Sequence, residues 1–239
     1  MPEAKTVFFD LDDTLTDYAY ARIYAFVELK NHFSELINAP LFEMDRVWTE
    51  SWYRFLPSTP IKTDSEMMLF RSRRLGMVFE HFGMKPHKQE ITDAVRIFTD
   101  SYDSSLSPVP GAKKLLYELK KKHTLICVIT NNPTVGQARK LELCGLSDLV
   151  DILVTSGEVG VSKPDSRIFE FAMTKADTIP SETVMVGDTW EQDIVGAINA
   201  GIRAVWLNRF SVKMPVEVDH VREISSYVPL GPAINAILG

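Results

Sequence analysis

Hydrophobic and polar positions along the chain fall into three successive patterns. Thr6-Val7-Phe8-Phe9 is a short apolar, β-rich run and reads as a strand ending at Asp10. From Tyr18 to about Asp103 apolar residues recur at helical spacing. One stripe holds Tyr24, Val27 and Phe33, and the next Val47, Trp48, Trp52 and Phe55. Met68, Leu75, Phe79 and Phe82 follow, then Ile91, Val95, Phe98 and Tyr102. Pro57, Pro60, Gly83 and Pro86 punctuate this block, which predicts about four helices and no strand. After Pro108-Val109-Pro110-Gly111, strand-like runs alternate with helical ones. Strands are predicted at Leu125–Ile129, Ile152–Thr155, Thr183–Val186 and Arg203–Leu207. Helices are predicted at Ala112–Lys122, Val135–Cys144, Ser166–Ala176 and Gln192–Ala200. A last weak strand is placed near His220–Ile224, and a short helix after Pro232.

Strand and helix in alternation imply right-handed βαβ units and a parallel sheet. The nearly continuous apolar runs fit strands covered on both faces. One strand stands alone at the start, a helical block follows, and the remaining strands come after it. The economical reading is one α/β domain: a three-layer, Rossmann-like parallel sheet with an α-helical insertion after its first strand. Residues 1–16 and 105–239 would form the core, and 17–104 the insertion. In open parallel sheets ligands bind beyond the carboxyl ends of the strands, so the residues there carry the chemistry.

Composition narrows the class. A chain of 239 residues, 45% hydrophobic and 24% charged, can bury a core without staples. A net charge of −6 argues against nucleic acid or an anionic membrane as the main partner, while leaving room for an anionic small substrate. Cys127 and Cys144 lie in different predicted elements without a histidine companion, and read as reduced, buried thiols of a cytosolic protein. No apolar stretch is long enough for a signal peptide or a membrane span, so cytoplasmic residence is the default expectation. His32, His81, His87, His123 and His220 show no ligand spacing and read as surface or insertion residues. Trp48, Trp52 and Phe55 read as the core of the helical block. Arg71, Arg73 and Arg74 read as a solvated helix face, from which one arginine could reach an anionic substrate.

Four segments sit at or just past the strand ends. Asp10-Leu11-Asp12-Asp13-Thr14 follows the first strand and Thr130-Asn131-Asn132 the second. Lys163-Pro164-Asp165 precedes the helix after the third, and Gly187-Asp188-Thr189, with Asp193 beyond it, follows the fourth. Carboxylates gathered at one sheet edge repel one another, by about 4 kcal/mol per pair at ~4 Å and an effective dielectric of ~20. A hard, oxygen-liking cation such as Mg²⁺ relieves this and leaves room for a phosphate oxygen. Lys163 adds a fixed positive charge, and Thr130, Asn131 and main-chain amides can donate to phosphate oxygens. A carboxylate held against phosphorus can attack it, and an acid two residues on can protonate the leaving oxygen.

In this order the four segments resemble the four motifs of the haloacid dehalogenase superfamily of hydrolases. Asp10-x-Asp12-x-Thr14-Leu15 is similar to the first motif, Thr130 to the second, Lys163-Pro164 to the third, and Gly187-Asp188 with Asp193 to the fourth. The resemblance covers residues 1–16 and 105–210, and the insertion matches members with a helical cap by position and helical character. It implies Asp10 as nucleophile and metal ligand, and Asp12 as general acid/base with its main-chain carbonyl on the metal. Asp188 would be the direct carboxylate ligand, Asp193 would steady metal waters or Lys163, and Thr130 and Lys163 would bind the phosphoryl group. Asn131 would be a further phosphate contact, and Asp13 has no catalytic role. The implied activity is Mg²⁺-dependent hydrolysis of a small phosphorylated metabolite. An acid at Asp12 favours phosphate over dehalogenase chemistry. Phosphomutase or 2-haloacid dehalogenase activity, and a non-catalytic binding role on the same fold, stay open as alternatives.

Overall fold

The strand Thr6–Phe9, β1, lies in the middle of the molecule with all of its residues buried. In the computed structural model, which describes residues 4–216, 218 and 221–239, it belongs to one sheet. The other strands are β2 (Leu125–Thr130), β3 (Ile152–Thr155), β4 (Thr183–Gly187), β5 (Arg203–Leu207) and β6 (Arg222–Ile224). They run in the order β3-β2-β1-β4-β5-β6, and every pairing is parallel. Phe9 is level with Val128 on one side and Val186 on the other, so β1, β2 and β4 end side by side. The chain leaves β1 toward β2 and later returns to its other flank with β4. This reversal opens a crevice beyond the carboxyl end of β1.

Alternate residues of the strands face opposite layers. Phe8, Cys127, Met185 and Trp206 pack with Ile168, Phe169 and Ala172 of α8 (Ser166–Lys175) and with Ala197 of the short α9 (Gly196–Asn199). Val7, Phe9, Val128 and Val186 pack with Leu115 and Leu119 of α5 (Ala112–Lys121) and with Ile237 of α10 (Leu230–Leu238). The remaining helices of this part are α6 (Thr134–Leu143) and the single turn α7 (Ser156–Val159). The three-layer α/β arrangement is the expected one. Cys127 and Cys144 are both free and buried, and burial pushes both thiols up, Cys144 to about 11. Among the described residues, no helix is long and apolar enough to cross a membrane.

Between β1 and α5 run α1 (Tyr18–His32), α2 (Leu41–Phe55), α3 (Asp64–His81) and α4 (Lys88–Ser105). Thr63 and Glu66 form a capping box that starts α3 four residues after Pro60. Phe98 of α4 stacks on Trp48 of α2 at 4.8 Å between ring centroids, and Phe26 of α1 meets both rings edge-on. Trp48 is therefore core, as expected, while Trp52 and Phe55 are half-buried. The arginine cluster departs from a solvated face. Arg74 is buried, Arg71 is half-buried, and of the three only Arg73 is exposed. Inside the block, aromatic faces and main-chain or hydroxyl oxygens take the place of part of the water around these guanidiniums.

Three boundaries differ from the sequence pattern. The segment expected as one helix over 192–200 opens as a π-helical turn, Trp190–Val195, before α9. The terminal helix begins at Leu230, because proline is tolerated in a first turn. The weak edge strand spans Arg222–Ile224, and His220 lies outside the described residues. His32, His81, His87 and His123 are exposed.

Candidate active site

The Asp10 amide donates to Val186 O at 2.9 Å, which continues the sheet by one residue and fixes the direction of its side chain. The chain then turns through Asp13, in the left-handed region at φ 61°. There the Asp13 carboxylate accepts from the Ala19 amide at 2.9 Å, and Arg209 pairs with Asp13 and Asp17. Burial pushes the Asp13 carboxyl up to about 6. This turn places Thr14 so that its hydroxyl donates to Asp188 Oδ1 at 3.0 Å. Asp188 is steadied at its carbonyl by Trp206 Nε1, 2.8 Å away.

Asp10, Asp188 and Asp193 each offer a carboxylate oxygen within 4.8 Å of the others. Gly187 makes this possible, because a Cβ there would stand 2.4 Å from the Asp193 side chain. Asp193 is drawn in by the π turn, where its carboxylate accepts from the Thr189 amide at 3.0 Å. Lys163 Nζ reaches in from the segment before α8 and lies 2.6 Å from an oxygen of Asp10 and 2.6 Å from an oxygen of Asp193. Asp165, capping α8, sets the turn from which Lys163 projects.

Three carboxylates here face one ammonium. Burial, opposed by Lys163 and reinforced by Asp193, pushes Asp10 up to about 7. Burial and then the Asp10 charge push Asp188 well above the carboxylate range. Burial pulls Lys163 down, but Asp10 and Asp193 outweigh it and hold it above its ordinary value. Asp188 has no cation in contact among the described residues, only the Thr14 hydroxyl. A hard divalent cation taking oxygen ligands fits this donor set and its surplus negative charge.

Asn131 lies beside Lys163, and its side chain is committed there. Its Oδ1 accepts from the Lys163 amide at 2.9 Å, and its Nδ2 donates to Lys163 O and to Gln192 Oε1. Thr130 ends β2 with its hydroxyl receiving Gln137 Nε2. Two residues of α6 were not singled out by the sequence pattern. Gln137 holds Thr130, and Lys140 Nζ meets both oxygens of Asp12 at 2.7 and 2.6 Å. They are three apart and so share a helix face. That spacing is the signal a sequence reading could have used, once α6 was placed behind the Thr130 loop.

These residues open onto a cavity of about 570 Å³. Its lining includes Asp10, Asp12, Thr130 and Asp188 together with Tyr18, Trp48, Arg71 and Tyr102 from the helical insertion. A substrate in it would touch both parts of the chain.

Known proteins resemble this chain. Pyrimidine 5'-nucleotidase YjjG of Escherichia coli is 39% identical over 54% of this chain, which spans about half (57%) of that protein. Glyceraldehyde 3-phosphate phosphatase of Methanothermobacter thermautotrophicus is 32% identical over 92% of this chain and 91% of its own. The magnesium-bound hydrolase YfnB of Bacillus subtilis superposes with a TM-score of 0.75 over 98% of this chain and all of its own (100%), at 20% identity, and shares the fold. A profile of the haloacid dehalogenase-like hydrolases matches residues 4–201, and the chain belongs to that family.

Proposed function

We propose that this hydrolase of phosphate monoesters cleaves a small phosphorylated metabolite with Asp10 as nucleophile, Asp12 as general acid and base, and magnesium as cofactor. The observation that carries the reading is Asp10 itself. Its carboxylate is buried, opens onto the cavity, and stands between Lys163 Nζ at 2.6 Å and the Asp188 carboxylate. Two relatives named for phosphomonoester hydrolysis support it.

In the first half-reaction an oxygen of Asp10 attacks phosphorus while the bond to the leaving oxygen breaks, giving an aspartyl-phosphate. Asp12 turns one oxygen from Lys140 to the leaving oxygen and gives it a proton. In the second, Asp12 takes a proton from water as that water attacks phosphorus. The bond from Asp10 to phosphorus breaks, restoring the carboxylate and releasing inorganic phosphate. Lys163 and the Thr130 hydroxyl stabilise charge on the transferring group, and Asn131 holds the Lys163 loop in place. Magnesium at Asp10, the Asp12 carbonyl and Asp188 would neutralise phosphoryl oxygens and the nucleophile's charge, with Asp193 positioning Lys163. We assign 1–16 and 105–239 to the catalytic core and 17–104 to a cap that closes over small substrates and excludes water. Two buried thiols with no disulfide suit a reducing compartment, and we place the enzyme in the cytoplasm.

The test is turnover of p-nitrophenyl phosphate with Mg²⁺ and its loss with EDTA. A folded protein that hydrolyses no phosphomonoester, or that instead releases fluoride from fluoroacetate, overturns the reading.

A further inference from the structure

Arg22, Arg71 and Arg74 of the helical insertion all line the cavity. Arg22 is matched, its Nε donating to Asp45 at 2.7 Å. Arg71 and Arg74 pair with no carboxylate among the described residues. Arg71 Nη1 donates to Thr99 Oγ1 at 2.6 Å, and its other donors take no partner among those residues. Arg74 donates to Ser51 Oγ at 3.0 Å and Trp48 O at 2.8 Å, with its guanidinium carbon 3.5 Å from the Trp48 ring centroid, and none of these partners is a carboxylate.

A second observation comes from α4. Tyr102 is 3% exposed and lines the same cavity, yet its buried hydroxyl has no hydrogen-bond partner. The cavity's acids do not supply the missing countercharge. Asp12 is held by Lys140, Asp13 by Arg209 and Asp103 by Arg139. Asp64 opens α3 two helical turns before Arg71, about 10 Å along the axis.

A buried guanidinium without a countercharge and a buried hydroxyl without an acceptor are both costly, and one anion relieves both. We infer that the cap side of the cavity receives a second anionic group of the substrate, with Arg71, Arg74 and Tyr102 as its receptor. The reading rests on the phosphatase proposal for the other end of the cavity. The substrate class is then a small phosphomonoester bearing a second negative group, a carboxylate or another phosphate, since the guanidinium fork fits either. Trp48, Trp52 and Phe98 line the same cavity, and their apolar faces suit a carbon skeleton.

Matched pairs test this. We compare 3-phosphoglycerate with glycerol 3-phosphate, and fructose 1,6-bisphosphate with fructose 6-phosphate, each pair differing at the end remote from the shared phosphate. The wild type is expected to prefer one of the doubly anionic members in kcat/KM by about 10- to 100-fold, and the pair that shows it identifies carboxylate or phosphate. Arg71→Gln should bring that ratio toward one, Tyr102→Phe should lower it by less, and Arg71→Lys should restore part of it. Wild-type enzyme without preference in either pair overturns the proposal, as does an Arg71→Gln protein that folds and keeps the ratio. If no phosphomonoester is hydrolysed, the phosphatase reading fails by itself. The anion receptor is then judged from the calorimetric Kd ratio of the same pairs, where equal binding sinks it.

Discussion

Lys163 Nζ touches Asp10 and Asp193 while almost wholly buried, with 1% of its side chain exposed. Removing it leaves two carboxylates without their partner. Lys163→Ala is expected to lower stability by about 3–5 kcal/mol in urea unfolding and to abolish most turnover. A stable and active Lys163→Ala protein would show that the charge is supplied elsewhere. Asp12 makes a different prediction, since the role proposed for it lies in proton transfer. Asp12→Asn should reduce kcat by about 10²- to 10⁴-fold and let phosphoenzyme accumulate, read as a burst of alcohol ahead of phosphate. Asp10, Asp12, Lys163 and Asp188 were legible in the sequence because each follows a strand-like run or opens a helix. Lys140 was not, because it meets Asp12 across 128 positions and from a helix whose face is decided by packing. Arg71 and Arg74 were misread for a related reason: a charge run looks solvated until its aromatic surroundings are known.

The first five strands were legible to within a residue, since apolar β-rich runs bounded by polar turns leave little choice of register. The turn after β4 was not. Its π-helical geometry follows from seating Asp193 against Gly187, a contact no local propensity encodes. Gly187→Ala should therefore disturb the site more than the fold. Overpacking there is expected to cost about 1–3 kcal/mol and to pull Asp193 from Lys163, read together as a lower Tm and a weaker Mg²⁺ dependence of activity. Within the insertion, Phe98 stacks on both Trp48 and Tyr102. Phe98→Ala should destabilise that block by about 3–5 kcal/mol, visible in urea unfolding. An unchanged unfolding curve would mean that the four helices are held by other contacts.

At the scale of the whole molecule, the helical block and the sheet edge line one cavity, the sheet edge bringing buried carboxylates and the block bringing arginines without a carboxylate partner among the described residues. The sequence pattern showed that the block is inserted after β1. It could not show which of its faces turns toward Asp10, because that depends on how α1 and α4 leave and rejoin the core. Magnesium should act on the folded protein as a whole. At about 100 times its Kd it should add about 2.7 kcal/mol, seen as a higher Tm that EDTA reverses without any substrate present. No shift in Tm would contradict a cation at the carboxylate cluster. The nucleophile is tested most directly by quenching the Asp12→Asn enzyme during turnover, reducing it with borohydride and sequencing its peptides by mass spectrometry. Reduction of an aspartyl-phosphate should leave homoserine at position 10. Substrate turned over with Asp10 recovered intact, or the reduced residue found elsewhere, would contradict the assignment of Asp10 as nucleophile.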